Sequence, residues 1–136
     1  MRIRTASVVD AEEITDVHIA SMRAAYSGLI AAEELARIDV LTRLLNRRAF
    51  EAAIEAECAR ARRTGAPLTL VYLDVDHFKG INDRFGHASG DQVLRQVALA
   101  IRETIRGQVD GGFRLGGDEF ALLLPASTQA QAEKIF

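Results

Sequence analysis

Along this chain, apolar residues recur every three or four positions in some stretches and run together in others, which separates helices from strands. After a capping-box-like start at Asp10 and Glu13, the residues Ile14, Val17, His18, Ser21, Met22 and Ala25 keep helical spacing up to Gly28. Residues 2–6 alternate weakly and predict a short strand before that helix, and residues 31–38 predict a short helix after it. Asn46 is a good N-cap for the run "RRAFEAAIEAECARARRTG", where Phe50, Ile54, Cys58 and Ala61 mark one face and Gly65 ends the helix. Pro67 then introduces "LTLVYLD" (68–74), a continuous apolar run suited to a strand buried on both faces.

Residues 74–90 mix turn formers with apolar residues and predict a turn or short helix. An amphipathic helix follows over about 91–106, with Val93, Leu94, Val97, Ala98, Ile101 and Ile105 as its inner stripe. The segment "GQVDGG" (107–112) predicts a loop. "FRL" and "EFALLL" predict two strands joined through Gly116–Asp118, a hairpin with glycines where positive φ is needed. Thr128 with Gln131 predicts the cap of a last helix. From Arg47 the order is helix, strand, helix, hairpin, helix, which predicts an α/β (α+β) sandwich with a mixed sheet and covering helices.

Composition narrows the partners. The chain has 136 residues, with 17 Lys and Arg against 19 Asp and Glu, a net charge of −2. No basic field therefore recommends nucleic acid or an anionic membrane. The single cysteine, Cys58, excludes an internal disulfide and a cysteine zinc cluster. The apolar runs fall far short of a membrane span, and "MRIRTASVVD" has no apolar stretch behind it to act as a secretory signal. These features predict a cytoplasmic chain.

Acidic residues gather at element ends. Asp74 closes the buried strand with Asp76 two residues on, and Asp118 and Glu119 lie at the hairpin tip. If the strands are neighbours, Asp74 and Asp118 converge, and a crevice holding both takes up a proton or a cation. Oxygen ligands without His or Cys favour a hard ion, magnesium before zinc, completed by water and phosphate oxygens. Gly116 and Gly117 let the backbone approach a phosphate, the turn from Asp76 to Lys79 offers N–H groups, and Lys79 adds a positive charge.

Three blocks in order, "DVLTRLLNRRAF" (39–50), "LDVDHFKGINDRFGHASGD" (73–91) and "RLGGDEF" (114–120), resemble the GGDEF domain of diguanylate cyclases, which make cyclic di-GMP from two GTP. The likeness covers residues 39–136. It implies that Asp74 and Asp118, with the Val75 carbonyl, bind magnesium, or manganese in its place. It also implies that Gly116, Gly117 and Phe78 line the phosphate path and that Lys79 steadies charge on the transferred group. By the same likeness Asn82 and Asp91 read guanine, His87 lies close to the substrate, Asp118 helps deprotonate the 3′-hydroxyl and Glu119 supports the metal. A homodimer is implied as well, because one such site holds one GTP. The alternatives are a GTP-binding or interaction module without turnover and an inactive chimeric fragment.

Three departures accompany the likeness. Family members continue past the point where this chain stops, with strands and a helix whose lysine and arginine hold the triphosphate. The family's product-inhibition site uses Arg-x-x-Asp; Asp110 is kept here, but Gly107 takes the arginine's place. Arg43 stands where glycine is usual. Residues 1–38 resemble the opening strand and helices of GNAT-type acetyltransferases without the Gly-rich acetyl-CoA loop, so acetyl transfer is not expected.

Overall fold

The computed structural model describes residues 36–107 and 109–134. The chain divides after Ala36, and these residues fall almost wholly in the second unit, Arg37–Phe136. The strand and helices expected before residue 36, and the acetyltransferase-like reading of that segment, lie outside the described residues.

The elements in order are β1 (Leu45–Asn46), α1 (Arg47–Thr64), β2 (Leu68–Asp74), α2 (Phe78–Phe85), α3 (His87–Thr104), β3 (Gly111–Gly116), β4 (Glu119–Pro125) and α4 (Gln129–Ala132). Among the described residues the strands form one mixed sheet in the order β1-β3-β4-β2. β1 runs parallel to β3, while β3–β4 and β2–β4 are antiparallel. The outer edge of β2 is open among these residues.

Helices cover both faces. Leu94, Ala98 and Ile101 of α3 pack with Phe120, Leu122 and Leu124 of β4 and with Leu44. On the other face Ala49 of α1, with Phe50, Ala53 and Ile54 beside it, meets Phe113, Leu115, Ala121 and Leu123. Phe50 and Phe113 meet edge to face at 5.3 Å between ring centres. β4 is buried on both faces from Phe120 to Pro125, which places it at the centre. The expected sandwich is the observed one.

Local chemistry explains most of the boundaries. The Asn46 side chain accepts from the Ala49 N–H to start α1, and Gly65, at φ 70°, ends it in the left-handed region. Gln131 of α4 accepts the Thr128 N–H at 2.9 Å, the capping box expected there.

Five elements differ from expectation. β2, expected to be buried on both faces, is an edge strand with no fully buried residue, and its Leu70 and Tyr72 are 46% and 55% exposed, because no helix covers that part of its face among the described residues. Residues 78–85 form a full helix, and α3 begins at His87 rather than at Asp91. Gly86, at φ 84°, makes the break between the two helices, and Gly90 sits inside the first turns of α3 because a Cβ there would run into the Asn82 carboxamide and the Phe78 ring. β3 begins at Gly111, inside the expected loop, since a Cβ on Gly112 would meet Ile101 at 2.8 Å. The two-residue strand β1 was not expected; it registers Leu45 with Phe113 and Asn46 with Arg114.

Candidate active site at the β3–β4 turn

The end of β2 and the β3–β4 turn meet. The register sets Asp74 opposite Glu119, and the Val75 N–H donates to the Asp118 carbonyl at 3.3 Å. The sheet thus brings Asp74 and the Asp118–Glu119 pair to one end, as the sequence predicts. The turn itself is Gly117–Asp118, with Gly116 at φ 146° and Gly117 at φ 54°, and the register slips between Arg114 and Gly116. Both values fall where a side chain is strained, and a Cβ on either glycine would meet open space. The backbone here is therefore open to a ligand.

Charge accumulates at this point. Desolvation first, then the carboxylates of Asp118, Glu119 and Asp76, push the Asp74 carboxyl above its ordinary value. Tyr72, two residues earlier on β2, is also raised, first by desolvation and then by its hydrogen bond with Glu119. Such a repelling set fits a bound cation. The Val75 carbonyl accepts the Phe78 N–H at 3.2 Å and keeps a second lone pair. Among the described residues no group of three or more His, Cys, Asp or Glu side chains gathers as a metal cage. Two carboxylates and one carbonyl suit magnesium, which keeps much of its shell for water and phosphate, better than zinc.

The remaining expected residues lie on α2 and α3. Phe78 is half-buried against the core, with its ring beside Gly90, while Lys79 is exposed in the first turn of α2. Asn82 packs against Gly90, the residue before the half-buried Asp91, so the helical hairpin brings the two guanine-reading candidates together. His87 is exposed at the start of α3.

Two arginines to which the sequence reading gave no role brace the turn. Arg47 Nε donates to the Leu115 carbonyl at 2.8 Å, and its Nη2 lies 3.7 Å from Glu119. Arg114 donates to the Gly117 carbonyl from Nε at 3.1 Å and Nη2 at 2.7 Å. Its Nη1 reaches Asp39 at 3.1 and 3.3 Å. Asp39 also accepts from the Thr42 N–H at 2.9 Å and hydroxyl at 2.6 Å. Burial alone raises the Asp39 carboxyl, but these bonds outweigh it and hold it below its ordinary value. The spacing of Asp39 and Thr42 is a local-turn signal readable in the sequence.

At the opposite end of β4, the Asp110 carboxylate is 1% exposed and engaged by Arg106. It accepts the Arg106 N–H at 2.8 Å, Nε at 2.9 Å and Nη2 at 2.6 Å. Arg106 Nη2 also donates to the Pro125 carbonyl and the Ser127 hydroxyl, each at 3.0 Å.

Comparison with known proteins gives the family and the fold. Residues 36–136 match the family described as "Diguanylate cyclase, GGDEF domain". The chain belongs to that family. It is 46% identical over 101 residues to diguanylate cyclase DosC of Escherichia coli K12, covering 71% of this chain and 22% of DosC. It is 41% identical over 102 residues to the response regulator PleD of Caulobacter vibrioides, covering 75% of this chain and 22% of PleD. The chain thus spans about a fifth of the length of these curated relatives. Among solved structures, the coiled coil and GGDEF domain of DgcB from Caulobacter crescentus, in complex with c-di-GMP, aligns with a TM-score of 0.80 at 33% identity. That alignment covers 95% of this chain and 68% of DgcB's. The GGDEF domain of PA1120 from Pseudomonas aeruginosa aligns at 0.68 with 44% identity, over 72% of this chain and 57% of that one. No helix among the described residues is long and apolar enough to cross a membrane.

Proposed function

We propose that this domain binds GTP with magnesium at the β3–β4 turn and forms one half of a site that condenses two GTP into cyclic di-GMP. The observation that carries the reading is the crowding of Asp118, Glu119 and Asp76 around Asp74 beside a glycine turn with open space before it. Asp74, Asp118 and the Val75 carbonyl would hold the magnesium, with manganese as substitute. Bound there, the ion neutralises triphosphate charge and makes the 3′-hydroxyl more acidic.

The chain's own residues do the rest. Gly116 and Gly117 admit the phosphates close to the main chain, with Phe78 flanking the path, and Lys79 offsets charge on the transferred group. Asp118 accepts the 3′-hydroxyl proton, and Glu119 supports the carboxylate pair. The 3′-oxygen attacks the α-phosphorus of the facing GTP, and the bond to pyrophosphate breaks.

Asp91 and Asn82 select the base. An ionised Asp91 only accepts, and guanine offers it N1–H and N2–H, whereas adenine turns a lone pair toward it. Such a mismatch gives discrimination on the order of 10⁴-fold in a site built on hydrogen bonds. His87 stands near enough in sequence to Asp91 to border the nucleotide. Two facing sites require a two-fold homodimer. Because Arg106 occupies the Asp110 carboxylate, inhibition by product at that place is lost.

The test is incubation of the pure protein with magnesium and GTP and analysis for cyclic di-GMP. Product that disappears in Asp118→Ala supports the reading. GTP bound without any product contradicts the turnover assigned here.

A further inference from the structure

The Arg114 side chain is only 14% exposed and that of Asp39 22%, so their pairing is an internal contact rather than a surface one. It links three places. Asp39 lies two residues after Arg37, where the second unit begins. Its backbone closes a tight loop, with the Asp39 N–H donating to the Leu44 carbonyl and the Arg43 N–H to the Asp39 carbonyl, both at 2.8 Å. Arg114 lies on β3 and reaches forward to the Gly117 carbonyl with two N–H groups. Gly117 holds a left-handed conformation immediately before Asp118.

We propose that Arg114 is a positioning residue, and that the Asp39–Arg114–Gly117 relay sets the shape of the glycine turn from the point where the chain comes into the domain. The guanidinium is planar and forked, so Asp39 fixes its plane from one side while the fork fixes the Gly117 carbonyl from the other. A carbonyl so held fixes the peptide plane between Gly117 and Asp118, and with it the direction of the Asp118 N–H and the position of its Cα. A change in the path of residues 37–42 would move Asp39, then Arg114, and then the turn. For nucleotide affinity, the consequence rests on the functional reading above; the relay itself does not.

The experiment follows amide resonances and nucleotide binding in the same samples. In Asp39→Asn and in Arg114→Lys, the ¹H–¹⁵N signals of Gly117 and Asp118 should move, although Asp39 is far away in sequence. Affinity for magnesium–GTP should fall about tenfold, the size of one net hydrogen bond lost to the ligand. Lysine keeps the charge beside Asp39 but lacks the fork, so it should not rescue the turn signals. Arg106→Gln serves as the control for plain loss of stability: it removes an equally well-bonded arginine at the other end of β4 and should leave the turn signals in place.

Turn signals that stay put in both variants overturn the relay, and so do turn signals that move equally in Arg106→Gln. Moved signals with unchanged GTP affinity overturn its effect on binding. Moved signals in a protein that binds no GTP even unaltered support the relay and refute the nucleotide reading instead.

Discussion

Replacing Asp110 by alanine removes the acceptor for the N–H, Nε and Nη2 of Arg106, at 2.8, 2.9 and 2.6 Å. A hydrogen bond to a charged group contributes about 1.5–3 kcal/mol, but bonds to one carboxylate are not additive. The Arg106 side chain is 53% exposed, so water recovers part of what it loses. The net cost is therefore about 2–3 kcal/mol, above a surface ion pair and at the low end for a broken buried one. For a unit of this size, each kcal/mol lowers Tm by about 4–8 °C, so Asp110→Ala should melt roughly 8–24 °C lower. Asparagine keeps the shape and one acceptor and should cost about half as much.

The pH dependence gives the sharper check. Burial raises the Asp110 carboxyl, but the bonds from Arg106 outweigh it and hold it below its ordinary 3.8. A depressed carboxylate stabilises the fold above its unfolded value, and that stabilisation is lost as pH falls through the folded value. The gap between parent and Asp110→Ala in thermal melts should be flat from about pH 5 to 8 and should close only in acid below the ordinary carboxylate range. A gap below about 0.5 kcal/mol at pH 7, smaller than a single such bond, would refute this reasoning. So would a gap that narrows already near neutrality.

Other substitutions test other links. Arg43 is exposed and held at φ 62°, which explains the glycine usual at that position; Arg43→Gly should raise stability by about 0.5–1 kcal/mol in denaturant melts. Gly90→Ala should push the Asn82 carboxamide aside, weakening GTP binding in calorimetry while costing no more than about 2 kcal/mol of stability, since overpacking is partly offset by alanine's helix preference. Asp74 titrates above its ordinary value, so the fold binds its proton more tightly than the unfolded chain does, and its contribution to stability declines as pH rises through that window. Asp118→Asn removes one of the causes and should lower the Asp74 midpoint in carboxyl NMR without restoring the ordinary value, because desolvation, Glu119 and Asp76 remain.

The sequence showed the parts of the fold whose signals are local. Asn46 and Gly65 mark the ends of α1 because capping is a short-range interaction, and the glycines between two apolar runs mark the β3–β4 turn. It misled where glycine served packing rather than bending. Gly90 and Gly112 read as breakers, yet each lies inside an element where a neighbour comes too close for a Cβ. The carboxylates of the site were legible because acidic residues at strand ends are conspicuous. Arg47 and Arg114 were not, since an arginine that holds a carbonyl across the fold has no periodic or compositional mark.

The central claim is that Asp74 and Asp118 jointly hold magnesium for a bound guanine nucleotide, and calorimetric titration of GTP with and without magnesium tests it most directly. The account predicts GTP binding that needs magnesium, resists competition by equal ATP, and is lost in both Asp74→Asn and Asp118→Asn. Binding indifferent to magnesium and to both substitutions, or shared equally by ATP, would contradict it.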